Sequence, residues 1–422
     1  MNIFTIIILA AILVDFTLGI ISNRLNLKAL SKKLPEEFED VYDEETYAKS
    51  QEYTRAGTKF GFVTGTFNLL LLLVFWFAGG FNWLDQWARG FDFGVIATGL
   101  IFIGVLVLAK MIISLPFGIY STFVIEERFG FNKTDAKTYI TDRLKGIMLM
   151  VFIGGPLLAG IIAFFEFGGT WAWVYAWMAV TAFTLIMQYV APTWIMPLFN
   201  KFEPLEDGEL RQEIEKYAEN VDFPLQGIYV MDGSKRSSKS NAFFTGFGKN
   251  KRIALYDTLI ENHTTEELVA VLAHEIGHYK KKHIVKNMAI SVLHTGIMFA
   301  LLSIFLQVPA LFDAFFMEEM SVYAGLLFFG LLYSPVETIL GVFMQKMSRK
   351  HEYEADNFAA ATIKESEQMV KVLKKLSKDN LSNLTPHPIF VYLNYSHPPV
   401  LKRIKAIRQN AQQEPEIFGR AH

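Results

Sequence analysis

Along this chain, polar and apolar positions separate into long blocks instead of the short alternations of a water-soluble fold. Seven stretches stay apolar for about 20 residues, the length a helix needs to cross roughly 30 Å of hydrocarbon. They are 2–21, 60–79, 95–120, 146–166, 171–198, 287–309 and 322–345. No Lys or Arg precedes the first stretch and no small-residue cleavage site ends it, so it reads as a retained span and not a signal peptide. Lys and Arg alternate between the blocks: seven in 22–59, one in 80–94, five in 121–145, none in 167–170, thirteen in 199–286, none in 310–321 and thirteen from Lys346 onward. Cytoplasmic loops carry the excess of positive charge, so the N-terminus is expected outside and the C-terminus in the cytosol, in a bacterial inner membrane or the endoplasmic reticulum. Five glycosylation sequons, at Asn132, Asn262, Asn380, Asn383 and Asn394, all fall on the expected cytosolic side and read as coincidences.

Composition sharpens this picture. Length alone would suggest two or three soluble domains, but 52% of the 422 residues are hydrophobic, 38 are Phe and only 19% are charged. Soluble domains carry about 25% charged residues. The absence of Cys removes disulfides, thiolate nucleophiles and thiolate metal ligands together. A net charge of −2 gives no electrostatic case for nucleic acid. Gly246-Phe247-Gly248-Lys249 lacks the spacing and hydroxyl of a phosphate loop, so no nucleotide is expected.

The expected fold is therefore a membrane all-α protein of seven transmembrane helices with a small cytosolic α+β domain. Residues 1–198 would hold spans one to five and 287–345 the last two. The polar segments 199–286 and 346–422 would pack together as one domain, since neither looks able to carry a large core alone.

The strongest chemical signal is His274-Glu275-Ile276-Gly277-His278. Leu268, Val271, Leu272 and Ile276 form an apolar stripe at helical spacing, and Thr264 with Glu267 reads as a capping box that starts the helix. Residues four apart share a helix face, so both imidazoles can reach one Zn²⁺. Glu275 then lies beside the ion, placed to take a proton from water that zinc has acidified. A catalytic zinc wants a third protein ligand and an open position. Glu352 in His351-Glu352-Tyr353-Glu354-Ala355-Asp356 is the best candidate, with Asp356, four residues on, accepting the second hydrogen bond of a ligating imidazole. Residues 241–247 and 252–256, joined by a turn at 248–250, read as a hairpin whose edge could pair with an extended peptide; a merely structural hairpin fits equally well. His283 and His294 are read as core or interface histidines, since neither lies four from a ligand. Asp15, Lys110 and Glu337 sit inside expected spans, facing either water or a partner in the bundle.

Four motifs in order, SKSNAFFTGFGKNKRIALYDTLI, HEIGH, SRKHEYEADNFA and SHPPVLKRI, resemble the type I CAAX prenyl endopeptidases, seven-helix zinc metalloproteases. The likeness implies that His274, His278 and Glu352 are zinc ligands, that Glu275 is the general base and that Asn241 contacts the substrate backbone. It further implies that His397 and Arg403 stabilise the transition state and bind substrate, and that the helices enclose a large water-filled chamber. From the residues themselves, His397 could donate to an oxyanion and Arg403 could grip a carboxylate bidentately. A surface turn at Pro398-Pro399 followed by a basic helix explains them as well. The expected function is zinc-assisted hydrolysis of peptide bonds, removing the tripeptide after a prenylated cysteine. One alternative is a membrane quality-control endopeptidase with unprenylated substrates. A seven-helix transporter or receptor with an incidental HEIGH would not explain the ordered motifs.

Overall fold

The computed structural model describes residues 2–245 and 251–413. Five long apolar helices open the chain: α1 (Ile3–Ala29), α2 (Glu44–Phe77), α3 (Val95–Glu126), α4 (Ala136–Phe167) and α5 (Gly169–Phe199). The chain then folds β1 (Phe202–Pro204), α6 (Glu209–Asn220), β2 (Leu225–Met231), β3 (Ala242–Thr245), β4 (Lys251–Tyr256) and α7 (Thr265–Lys280). It returns to the bundle as α8 (His283–Phe305) and α9 (Val322–Thr362), and α10 (Glu367–Asp379) and α11 (Val400–Gln413) follow. Seven helices are long and apolar enough to span a membrane. The protein is an integral, multi-pass membrane protein with a mostly helical domain that includes a small sheet.

Several spans outrun their apolar blocks. Helix α2 begins 16 residues before position 60, capped by Asp43, whose carboxylate accepts the Thr46 amide. Helix α9 does not stop near 345: it runs for 41 residues in all, to Thr362, so the seventh span and the segment bearing Glu352 and Asp356 are one helix. Three charged residues inside the spans meet partners on other helices. Lys110 donates to Asn68, Thr338 donates to Asp15, and Glu337 lies 3.3 Å from His294.

The apolar mass is concentrated at two ends. One core joins Trp76, Phe81, Leu84, Phe102, Phe315 and Phe328 around the 78–94 and 306–321 turns. The other fills the polar domain and takes in Ile214, Ile253, Leu272, Ile276, Ala359, Leu373 and Ile407. Elsewhere most span side chains face outward from the protein, with at most 17% of the most apolar window of any span buried, and a smaller cluster of Ala176, Phe299, Leu302, Phe329 and Tyr333 joins α5, α8 and α9. A third sequence segment, inside the loop expected at 22–59, enters the polar core through Phe38, Tyr42 and Tyr47. Ion pairs from Lys374 and Arg408 to Glu37, at 2.7 and 2.6 Å, clamp it there.

The sheet runs β1-β2-β4-β3, with β2 and β4 parallel and the outer pairs antiparallel. Strands β3 and β4 form the expected pairing, Ala242 opposite Leu255 and Phe244 opposite Ile253; the expected turn at 248–250 lies outside the described residues. Strand β3 is an edge. The capping box of α7 is present: Glu267 accepts the Thr264 amide at 3.0 Å and the Thr264 hydroxyl accepts the Glu267 amide.

Helix α7 crosses α9 backbone to backbone. A Cβ built on Gly277 would lie 3.0 Å from both Cα and O of Ala355, closer than side-chain carbons ordinarily approach backbone. Only glycine allows that approach. Gly277→Ala is expected to lose about 1–3 kcal/mol through overpacking, because it prises the two helices apart. Thermal melting reads the effect, and a variant that melts like the wild type would show that the crossing tolerates a methyl group.

Candidate active site

Helices α7 and α9 bring the candidate residues together at this crossing. His274 and His278 lie one turn apart on α7, and Glu352 faces them from α9. Their donor atoms converge: His274 Nε2 to His278 Nε2 is 3.2 Å, His278 Nε2 to Glu352 Oε1 is 3.3 Å and His274 Nε2 to Glu352 Oε2 is 3.4 Å. A tetrahedral ion with bonds of about 2.0–2.1 Å has ligand-to-ligand edges of about 3.3–3.4 Å. The three atoms thus fit around a single metal ion. Among the described residues this is the one such His/Asp/Glu group. Glu352 Oε2 is buried and has no hydrogen-bond partner of good geometry, only the longer approaches of His274 Nε2 and Arg403 Nη1, which leaves it room to accept a cation.

The charge around the group is arranged to hold a cation. Asp356, fully buried, accepts from His274 Nδ1 at 2.9 Å. Burial opposes a positive imidazole at His274, but Asp356 and Glu352 outweigh it and hold the ring up at about 9. The pocket therefore attracts one positive charge, whether a proton or a metal ion. Arg403, read from sequence either as a grip for a substrate carboxylate or as part of a basic surface helix, is buried: Nε and Nη2 donate to the two Asp356 oxygens at 2.8 and 2.6 Å, and Nη1 lies 3.5 Å from Glu352. The reason is burial, since a guanidinium this enclosed requires a carboxylate partner. Glu275 is half-buried beside the group, and burial raises its carboxyl pKa. His397 is largely exposed, with Nε2 3.4 Å from Glu352 Oε1 and Nδ1 2.9 Å from the Ser396 hydroxyl. Beside it opens a cavity of about 500 Å³ lined by Asn380, Asn383, Asn394, Tyr395, His397 and Arg403 among others. Asn241 is exposed at the start of edge strand β3, its carbonyl accepting the Tyr256 amide at 3.1 Å.

Two family models divide the chain between them. One described as "CAAX prenyl protease N-terminal, five membrane helices" matches 23–201, and "Peptidase family M48" matches 204–411. The chain belongs to peptidase family M48. Its relatives within this family include CAAX prenyl protease 1 of Saccharomyces cerevisiae, 37% identical over 407 residues and covering 90% of this chain and 89% of that protein. The CAAX prenyl protease 1 homolog of Homo sapiens is 33% identical over 90% of this chain and 89% of its own length. The crystal structure of S. mikatae Ste24p matches with a TM-score of 0.89 at 36% identity, covering 96% of this chain and 99% of that one. These likenesses favour the prenyl-protease reading over the quality-control alternative. The M48 chain described here is a membrane metalloprotease.

His283 is buried, as a core or interface histidine would be, and it has a contact that sequence reasoning did not foresee: its Nδ1 lies 3.0 Å from His278 Nδ1. On an uninterrupted helix, five residues would turn it well away from His278. The helix breaks instead: Lys282 takes a left-handed backbone, φ +57°. The signal available in sequence was the Lys280-Lys281-Lys282 run at the helix end, where the basic C-terminal turn of α7 completes itself.

The Arg403–Asp356 pair has a direct consequence for stability. Asp356→Ala should cost about 3–5 kcal/mol, because it leaves the guanidinium buried and unpaired. The double change Asp356→Leu with Arg403→Leu should recover most of that loss. Melting curves in detergent check this, and a double variant no more stable than the single one would place the loss elsewhere.

Proposed function

We propose that the chain is a zinc endopeptidase that removes the C-terminal tripeptide following a prenylated cysteine. The observation that carries the reading is the convergence of His274, His278 and Glu352 at tetrahedral edge lengths, in a chain whose relatives over 90% of its length are named CAAX prenyl proteases. His274, His278 and Glu352 would hold one Zn²⁺, leaving a position open on the exposed side. Zinc bound there would polarise a carbonyl and acidify a water, bringing its pKa from about 15.7 toward 7.

The chain's own residues do the rest. Glu275 takes the proton from the attacking water and returns it to the leaving amine, and burial suits it to both acts by raising its proton affinity. The N–H and C=O groups on the free side of β3 pair with an extended peptide, with Asn241 at the head of that strand contacting the peptide backbone. His397, at the mouth of the cavity, donates to the oxygen of the scissile carbonyl as negative charge develops. Arg403, whose fork is bonded to Asp356, acts through that carboxylate to hold the His274 ring and its tautomer. The alternation of Lys and Arg between spans supports a cytosolic protease face, an outer N-terminus and a cytosolic C-terminus. The polar segments 199–286 and 346–422 are read as one proteolytic domain.

Glu275→Gln should lower turnover of a farnesylated peptide by about 10²–10⁴-fold while leaving bound zinc at wild-type stoichiometry. Stripping zinc with a chelator should abolish cleavage, and adding it back should restore it. A farnesylated peptide should be cleaved far faster than its unmodified twin. Equal cleavage of the two peptides would remove the prenyl part of the proposal, and a Glu275→Gln enzyme of wild-type activity would remove the mechanism.

A further inference from the structure

We infer that His283 and Glu354 are positioning residues for His278, forming a relay that runs from a carboxylate on α9 through one imidazole to the metal-ligating imidazole. This rests on the proposal that His274, His278 and Glu352 hold a zinc ion.

The relay is drawn by three contacts. His278 Nδ1 lies 3.0 Å from His283 Nδ1. The other nitrogen of His283, Nε2, lies 2.9 Å from Glu354 Oε2. The His283 ring is stacked on His351 at 3.9 Å between centroids and 11° between planes, and both rings are buried. Direction follows from donor and acceptor chemistry. An ionised carboxylate only accepts, so Glu354 takes a hydrogen bond from His283 Nε2–H. The remaining His283 nitrogen, Nδ1, then offers a lone pair and accepts from His278 Nδ1–H. With its proton on Nδ1, His278 presents a bare Nε2 lone pair, and that is the atom 3.2–3.3 Å from His274 and Glu352.

The arrangement mirrors the one at the other histidine. Asp356 accepts directly from His274 Nδ1, fixing the same tautomer with one fewer link. Both acceptors stand on α9. Glu352 and Glu354 are two residues apart and so project to different sides of that helix, one toward the ligand cluster and the other toward His283. The backbone is shaped to make the contact. Lys282, a non-glycine residue at φ +57°, ends α7 and starts α8 so that His283, the first residue of the sixth span, turns back on His278. Such a conformation costs about 1–3 kcal/mol and persists only where surrounding contacts hold it.

The test is zinc affinity, measured by competition with a chromophoric chelator on the full-length protein in detergent, alongside melting of the zinc-free protein and the visible absorption of the Co²⁺-substituted form. His283→Ala removes both links and should weaken zinc about 10–100-fold. His283→Asn keeps an acceptor near the position of Nδ1 but loses Glu354, and Glu354→Gln keeps shape but loses charge. Each should fall between the wild type and His283→Ala, and the Co²⁺ bands should shift in the same order. Zinc-free melting should stay unchanged in Glu354→Gln, which tests the relay even if His283→Ala does not fold. Zinc affinities and Co²⁺ spectra equal to the wild type in His283→Asn and Glu354→Gln would overturn the relay. A wild type that itself binds no zinc would instead overturn the metal reading on which the relay rests.

Discussion

The site exists because two helices touch without side chains between them. At Gly277 the backbone of α7 meets the backbone of α9 at Ala355. Helices ordinarily pack with axes 8–10 Å apart, separated by interleaved side chains. A carboxylate on a helix at the wider end of that range would not meet the imidazole nitrogens of its neighbour. Here the absent side chain allows Glu352 to come within 3.3–3.4 Å of both histidines and Asp356, one turn on, within 2.9 Å of the first. Everything else around the ligands follows from that contact: the Arg403 fork neutralises Asp356, and Glu354 supports the second histidine from behind.

The rest of the chain distributes its apolar surface unusually. A protein this hydrophobic might be expected to pack a solid bundle, yet its buried residues gather at the two ends of the spans. One end is an aromatic plug of Trp76, Phe81, Phe315 and Phe328, with the Phe315 and Phe328 rings stacked at 3.9 Å. The other is the core of the protease domain, tied to the spans by Arg236, which donates to both Asp142 oxygens and to the Phe199 carbonyl.

Much of this was legible in the sequence, for a physical reason in each case. Spans announce themselves because lipid demands long unbroken apolar runs. His274 and His278, and likewise Glu352 and Asp356, are legible because four residues make one helical turn; the capping box at Thr264 and Glu267 is legible because its partners are three apart. What sequence could not carry was long-range or depended on a break in regularity. Arg403 is 47 residues from Asp356, and nothing local foretells that its fork faces inward. Phe38, Tyr42 and Tyr47 lie in a polar loop whose few apolar residues belong to a core assembled mostly from beyond residue 200. The contact of the buried His283 with His278 was hidden because helical arithmetic fails across the left-handed Lys282. That the seventh span and the Glu352–Asp356 stretch form one helix was not legible, because hydropathy falls near 345 while the helix itself carries on.

That continuous helix gives the bilayer and the candidate ligands one backbone. From Pro335, the proline within α9, to Glu352 is a rise of roughly 26 Å at about 1.5 Å per residue. Close to the far end of that rise, the Gly277–Ala355 contact holds α9 against α7, so the same helix that is immersed in lipid along its first half is anchored in the polar domain beside Glu352.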